Sequence, residues 1–197
     1  MKRIIALCSV LVILACSAGK TVTRVDSSTT TDFSEGWNDT DSREVANTMI
    51  QDCMNRPWLV RHETSMGKKP AVIVGPMRNK TMEHIAIDTF VKDIEREFIN
   101  SGLVRVVASS EERGSVRGER DDQAHWASEE TAKEMGRELG ADYMLTGVIS
   151  QIDDTGSGEK AVFFQTDMTL INIETNEKVW IGSEKIKKVV TRGRYRP

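Results

Sequence analysis

The sequence predicts an α+β domain in which helices flank an antiparallel or mixed sheet of four to five strands. Two patterns lead there. Between residues 41 and 108, apolar residues alternate between helical stripes of period 3.6 and short runs rich in Val and Ile, as in strand–helix–strand units. After residue 143 the period drops to two over three long segments with connections short enough for hairpins, as in an antiparallel meander. The 197 residues, 39% hydrophobic and 29% charged, amount to one globular core and exclude a wholly disordered chain. With 27 basic against 30 acidic residues, the molecule lacks the charge footprint of a nucleic-acid binder.

Taken in order, Lys2 and Arg3 precede an apolar run over 4–15 that only Ser9 interrupts, the arrangement of a secretory signal peptide. A membrane-spanning helix needs about 20 apolar residues, so this run is too short to span. It ends Ile13-Leu14-Ala15-Cys16, which resembles the lipobox of bacterial lipoproteins. That resemblance implies a lipid on Cys16, which becomes the first residue of the mature chain; ordinary cleavage after Ala18 is the rival reading. Ser17, where an Asp would mark inner-membrane retention, points to the outer membrane, with the domain facing the periplasm. Of the three cysteines, Cys8 leaves with the signal and Cys16 is acylated, so Cys53 has no disulfide partner and the fold must rest on its core.

Residues 16–36 read as a lipid anchor and short flexible tether, Ser/Thr-rich over 20–34, with 21–26 also suited to a short edge strand. The globular domain is placed at 37–197. Asp41 and Glu44 have capping-box spacing, and Ala46, Met49, Ile50 and Cys53 form a helical stripe that ends before Pro57. Its stripe neighbours Met49 and Ile50 are apolar, so Cys53 reads as a packed thiol and not a reactive one. A buried strand over 71–74 lies between Pro70 and Gly75-Pro76. Ile87, Phe90, Val91, Ile94 and Phe98 mark the next helix, with Asp88 at its start and Gly102 past its end. Strand character returns over 103–108, followed by a charge-dense, partly helical surface excursion over 109–127 and a helix carrying Ala132, Met135 and Leu139. The meander occupies 143–152, 161–173 and 178–190.

Catalytic chemistry finds little material. Gly156-Ser-Gly-Glu-Lys160 lies between strands without the spacing of a phosphate loop and reads as a hairpin turn. His62, His84 and His125 share no metal-ligand spacing, and no nucleophile motif is present. The expectation is therefore a protein that is not an enzyme, with no metal, cofactor or small-molecule substrate. Two segments stand out as partner-binding candidates. From residue 185 onward the chain holds Lys185, Lys187, Lys188, Arg192, Arg194 and Arg196 and no acid, which reads either as a solvated protective edge or as a docking surface for an acidic partner. Strand alternation puts Lys185 and Lys187 on one face and Lys188 on the other. Arg78, Asn79, Lys80, Glu83 and His84 are expected in a loop at a sheet end, either as binding groups or as a turn in which Asn79 and Thr81 bond the backbone.

The strings Lys69-Pro-Ala-Val-Ile-Val-Gly75, Arg78-Asn-Lys-Thr-Met-Glu-His84, Phe98-Ile-Asn-Ser-Gly102, Gly140-Ala-Asp-Tyr-Met-Leu145 and Glu174-Thr-Asn-Glu-Lys-Val-Trp180, behind a lipoprotein signal, resemble the LpoB family. The stretch from Val25 to Ser42 adds to the likeness. The resemblance implies an outer-membrane lipoprotein with a globular part similar to the N-terminal domain of TolB. It implies a non-catalytic role: binding a docking domain of a class A penicillin-binding protein, a bifunctional peptidoglycan synthase, and stimulating it. The alternative it leaves open is an outer-membrane assembly or secretion-accessory lipoprotein of similar fold.

Overall fold

The computed structural model describes residues 22–26, 29–126, 140–156 and 159–191. The lipobox with Cys16, the helix expected over 129–139, and Arg192 lie outside the described residues. The chain divides into two compact units, Met1–Thr30 and Thr31–Pro197. In the first, residues 22–26 form neither helix nor strand. The second begins six residues before residue 37, so 31–36 of the stretch read as tether belong to the globular unit.

Helix α1 (Asp39–Met54) starts three residues earlier than the Asp41/Glu44 spacing suggests. Asn38 is its cap: the Asn38 Oδ1 accepts from the amides of Thr40 (2.9 Å) and Asp41 (3.1 Å), while Asp41 Oδ2 accepts from the Asn38 amide (2.9 Å). Both are good Ncap formers, and Asn38 has a box partner of its own at the third position. The stripe Ala46, Met49, Ile50 and Cys53 is buried as expected, and Val45 is buried beside it. Burial pushes the Cys53 thiol up to about 12, so it packs as a small hydrophobe. The chain then forms α2 (Pro57–Met66), which the sequence reading missed. Pro57 starts this helix at its first position instead of only ending the previous one, and three buried residues over ten positions are too few to show a period.

Strand β1 (Ala71–Lys80) does not stop at Gly75-Pro76 but runs through it, with a register shift between Val74 and Met77. Its ladder to β2 (Arg105–Val106) covers only Ala71 and Val72, so Pro76 falls where that edge needs no N–H donor. Helix α3 (Ile87–Ser101) matches its expected stripe, with Phe90, Ile94 and Phe98 fully buried and Gly102 in the left-handed conformation closing it.

The excursion is more regular than its composition suggests. Helix α4 spans Ser110–Trp126 and is capped reciprocally: Ser109 Oγ accepts from the Glu112 amide (3.3 Å) and Glu112 Oε2 from the Ser109 amide (2.9 Å). The Ser-x-x-Glu spacing was legible in the sequence. Lys92 of α3 bridges to Glu112 at 2.6 Å, and this contact with the Ser109 amide pulls the Glu112 carboxyl down to about 2.

Strands β3 (Tyr143–Thr155), β4 (Glu159–Asn172) and β5 (Lys178–Thr191) form the expected meander. The sheet order is β2-β1-β3-β4-β5; the first three strands are parallel, while β3–β4 and β4–β5 are antiparallel. The fold is α+β, with four helices and a five-stranded mixed sheet among the described residues. One face of the sheet joins α1, α2 and α3 in a single core cluster: Val74, Leu145, Ile149, Met168, Leu170 and Trp180 meet Ile50, Trp58, Phe90, Ile94 and Phe98. The opposite residues of β3, β4 and β5 are half-buried or exposed throughout.

Candidate interaction surface

The basic strand β5 divides its cations between the two faces as alternation requires. Lys188 pairs in register with the buried Val162 and points to the helix side. Its ammonium donates to Asp41 Oδ2 (2.7 Å), Asp32 Oδ1 (2.8 Å) and the Gly36 carbonyl (2.9 Å), with only 10% of the side chain exposed. Burial opposes the charge, yet Asp32 and Asp41 prevail and hold the Lys188 ammonium above its ordinary value; Lys188 in turn lowers Asp32. Lys188 thereby fastens the entry segment to the domain, beside an Asp41 that also closes the cap of α1.

Lys185 and Lys187 lie on the other face, exposed. Lys185 is in register with Gln165 of β4, Gln165 with Ser150 of β3, and Ser150 with Lys80 of β1. The next row toward Ser183 holds Arg78, Val148 and Asp167; the row on the other side holds Ile152, Phe163 and Lys187. Asp167 accepts both its hydrogen bonds from the Gln165 amide (2.9 and 3.0 Å). The segment 78–84, expected as a loop, is therefore divided. Arg78, Asn79 and Lys80 end strand β1, because the ladder to β3 continues past the bulge to Ser150.

Only Thr81 to Glu83 turn. Asn79 is in register with the buried Ile149; its Nδ2 donates to the Glu83 carbonyl (2.7 Å) and its Oδ1 accepts from the Thr81 amide (2.8 Å). Glu83 reaches back to the domain entry, where Oε2 accepts from the Trp37 amide (2.9 Å). Trp37 stands edge-on to Phe90 and Phe164 and donates its indole N–H to Ser42. His84 is exposed, two residues beyond the turn's centre. Topology thus joins Arg78 and Lys80 with Lys185 and Lys187 on one face, while Asn79 and Glu83 are engaged locally. Ile152 and Phe163 of that face were not singled out in the sequence, although period-two alternation from the buried Ile149 and Phe164 places both outward.

Elsewhere, a polar recess of about 310 Å³ lies between α2 and the start of β3, lined by His62, Ser65, Asp142, Tyr143, Asn172 and Glu174 among others. His62 Nδ1 is 3.1 Å from the Tyr143 hydroxyl and its Nε2 is 3.8 Å from Asp142 Oδ2, which already accepts from the Ala71 amide (2.7 Å). These groups tie α2 to the strand ends. Among the described residues no three His, Cys, Asp or Glu side chains are grouped to hold a metal ion. No described helix is long and apolar enough to cross a membrane.

A family model described as peptidoglycan-synthase activator LpoB matches residues 41–186, from the first turn of α1 into β5. Among solved structures, the LpoB C-terminal domain from Salmonella enterica aligns at 18% identity over 67% of this chain and 94% of its own, with a TM-score of 0.37. The NMR structure of E. coli LpoB aligns at 14% identity over 90% and 87%, with a TM-score of 0.42. Lipoprotein GNA1162 from Neisseria meningitidis aligns at 11% identity over 64% and 88%, with a TM-score of 0.40. No curated protein sequence matches the chain.

Proposed function

The chain belongs to the LpoB family of peptidoglycan-synthase activators, and from that premise we propose that it is a lipid-anchored outer-membrane protein that binds and stimulates a class A penicillin-binding protein. The lipid sits on Cys16, the domain faces the periplasm, and the partner surface is a docking domain of the synthase away from its catalytic centres. The family match over 41–186 carries this reading, because it spans the α/β body and most of the meander.

The protein acts without chemistry of its own. An activator of this kind works by differential affinity: binding the active conformation of the synthase more tightly than the inactive one shifts its population, with a coupling typically of 1–3 kcal/mol. The test uses the full mature chain in detergent with the class A penicillin-binding protein of the same organism. Glycan polymerisation and peptide crosslinking should rise several-fold when the two are mixed, and the chain alone should turn over no lipid II. An unchanged rate with bound synthase removes the activator role, and turnover by the chain alone removes the non-catalytic one. Cys16→Ala should release the chain from the outer membrane or leave unprocessed precursor.

A further inference from the structure

We propose that the sheet face opposite the helices is the docking face, and that its occupant is an acidic, partly apolar protein surface on the synthase. This rests on the activator reading above and names where and by what chemistry contact is made. No described helix covers the face, yet it is not the polar surface that a solvated sheet side presents. Ile152 is 64% and Val189 59% exposed, and Phe163 lies half-buried between Ile152 and Lys187 in one cross-strand row.

Four cations stand along one side of this apolar strip, Lys187 within its row and the other three in the two rows beside it. Arg78 and Lys80 stand on β1, Lys185 and Lys187 on β5, three strand spacings or about 14 Å away, with about 7 Å between the two of each strand. None of the four has an ion pair or side-chain hydrogen bond among the described residues. Several cations on the helix side and at the edges are spent differently: Lys188, Lys92, Arg96, Arg56 and Lys160 each hold a carboxylate. Within these rows the one acid is Asp167, occupied by Gln165. Asp154 and Glu159 share the face but lie farther along, at the β3–β4 hairpin.

Charge also selects among occupants. A second copy docking face to face with its strands parallel brings two sets of unpaired cations together, and with its strands reversed it offers only the two hairpin acids to four cations, which disfavours self-association. An aromatic and an Arg beside Lys residues, around an apolar strip, is the composition of a protein interface centre with a charged rim. The hairpin acids make the face polar along the strands, so the partner has one orientation: its acids meet the Arg78–Lys187 end.

The experiment measures association of the full mature chain in detergent with the class A penicillin-binding protein of the same organism, at ionic strengths of 0.01 and 0.15 M. Lys185→Glu with Lys187→Glu should lower the association rate tenfold or more at low salt and much less at 0.15 M, where the Debye length is about 8 Å. Asp154→Lys should raise it. Phe163→Ala should raise the dissociation rate with little change in association, and Phe163→Leu should restore most of it, showing that the effect is lost contact and not lost fold. Normal kinetics in the Lys185/Lys187 double variant, Asp154→Lys and Phe163→Ala, with stimulation intact, overturns the docking face and leaves the activator role standing. Failure of the wild-type chain to bind the synthase overturns both. A Lys-dependent dimer in sedimentation, or Lys-dependent binding to vesicles of anionic lipid with unaltered synthase kinetics, assigns the face to another occupant and overturns the proposal.

Discussion

Lys187 and Lys188 are adjacent on β5, and their surroundings have nothing in common. Lys188 is enclosed on the helix side by two carboxylates and a carbonyl, all within 2.9 Å. Lys187 stands exposed on the open face beside Phe163, with no acid in its cross-strand row. A basic run in a strand is thus two populations separated by the pleat. The inward one holds the entry segment and the cap of α1; the outward one is available for contact. The same division runs through 78–80, where Asn79 closes a turn and Arg78 and Lys80 face out.

The comparison breaks most visibly at Lys188. Lys188→Met leaves Asp41 as a buried carboxylate without its cation, and removing one partner of a buried pair costs on the order of 3 kcal/mol. At about 2–4 °C per kcal/mol for a chain of this size, the melting temperature should fall by roughly 6–12 °C in calorimetry. A change under 2 °C would show that the inward lysine is as dispensable as the outward ones.

A smaller effect is expected where β5 meets α1. A Cβ at Gly182 runs into the Trp180 ring, whose indole N–H donates to Asp52 (2.8 Å). Gly182→Ala should displace that ring at a cost of about 1–3 kcal/mol, read as a lower denaturation midpoint and altered tryptophan fluorescence. An unchanged midpoint and emission would show that the ring is not fixed there.

Acid should act on the helix side at α4. Folding depresses the Glu112 carboxyl from its ordinary 4.5 to about 2, so its ionised form stabilises the folded state. That contribution is complete above about 4.5 and fades as the pH falls toward 2. Amide exchange in the first turn of α4, compared with Glu112→Gln, should converge in that range and differ at pH 6. Equal exchange of the two proteins at pH 6 would remove Glu112 as the cap.

The smallest stability effect belongs to the open face. Lys185→Glu with Lys187→Glu should change stability by less than about 0.5 kcal/mol per site, as exposed substitutions usually do.

What the sequence makes legible follows from periodicity. The stripes of α1 and α3 and the alternation of β3 to β5 repeat often enough to identify elements and faces, including the opposite placement of Lys187 and Lys188. Shorter or interrupted signals fail. Helix α2 has one buried cluster around Trp58 and a proline that reads as a stop; β1 continues through Gly75-Pro76 only because its β2 ladder has already ended. The cap of α1 was placed three residues late because Asn38–Asp41 and Asp41–Glu44 both satisfy the spacing. The joining of residues 78–80 with 185–187 depends on strand order, which local patterning does not carry, since β1 and β5 are separated in the sheet by β3 and β4.

The division of β5 is tested most directly by amine acetylation of the full chain, free and mixed with the class A penicillin-binding protein proposed as its partner, with each lysine followed by mass spectrometry. Lys80, Lys185 and Lys187 should react readily in the free chain and become protected in the complex, Lys188 should resist in both, and the exposed Lys68, between α2 and β1, should react in both. Lys185 and Lys187 remaining reactive in the complex, or Lys188 modified as readily as they are, would contradict the account.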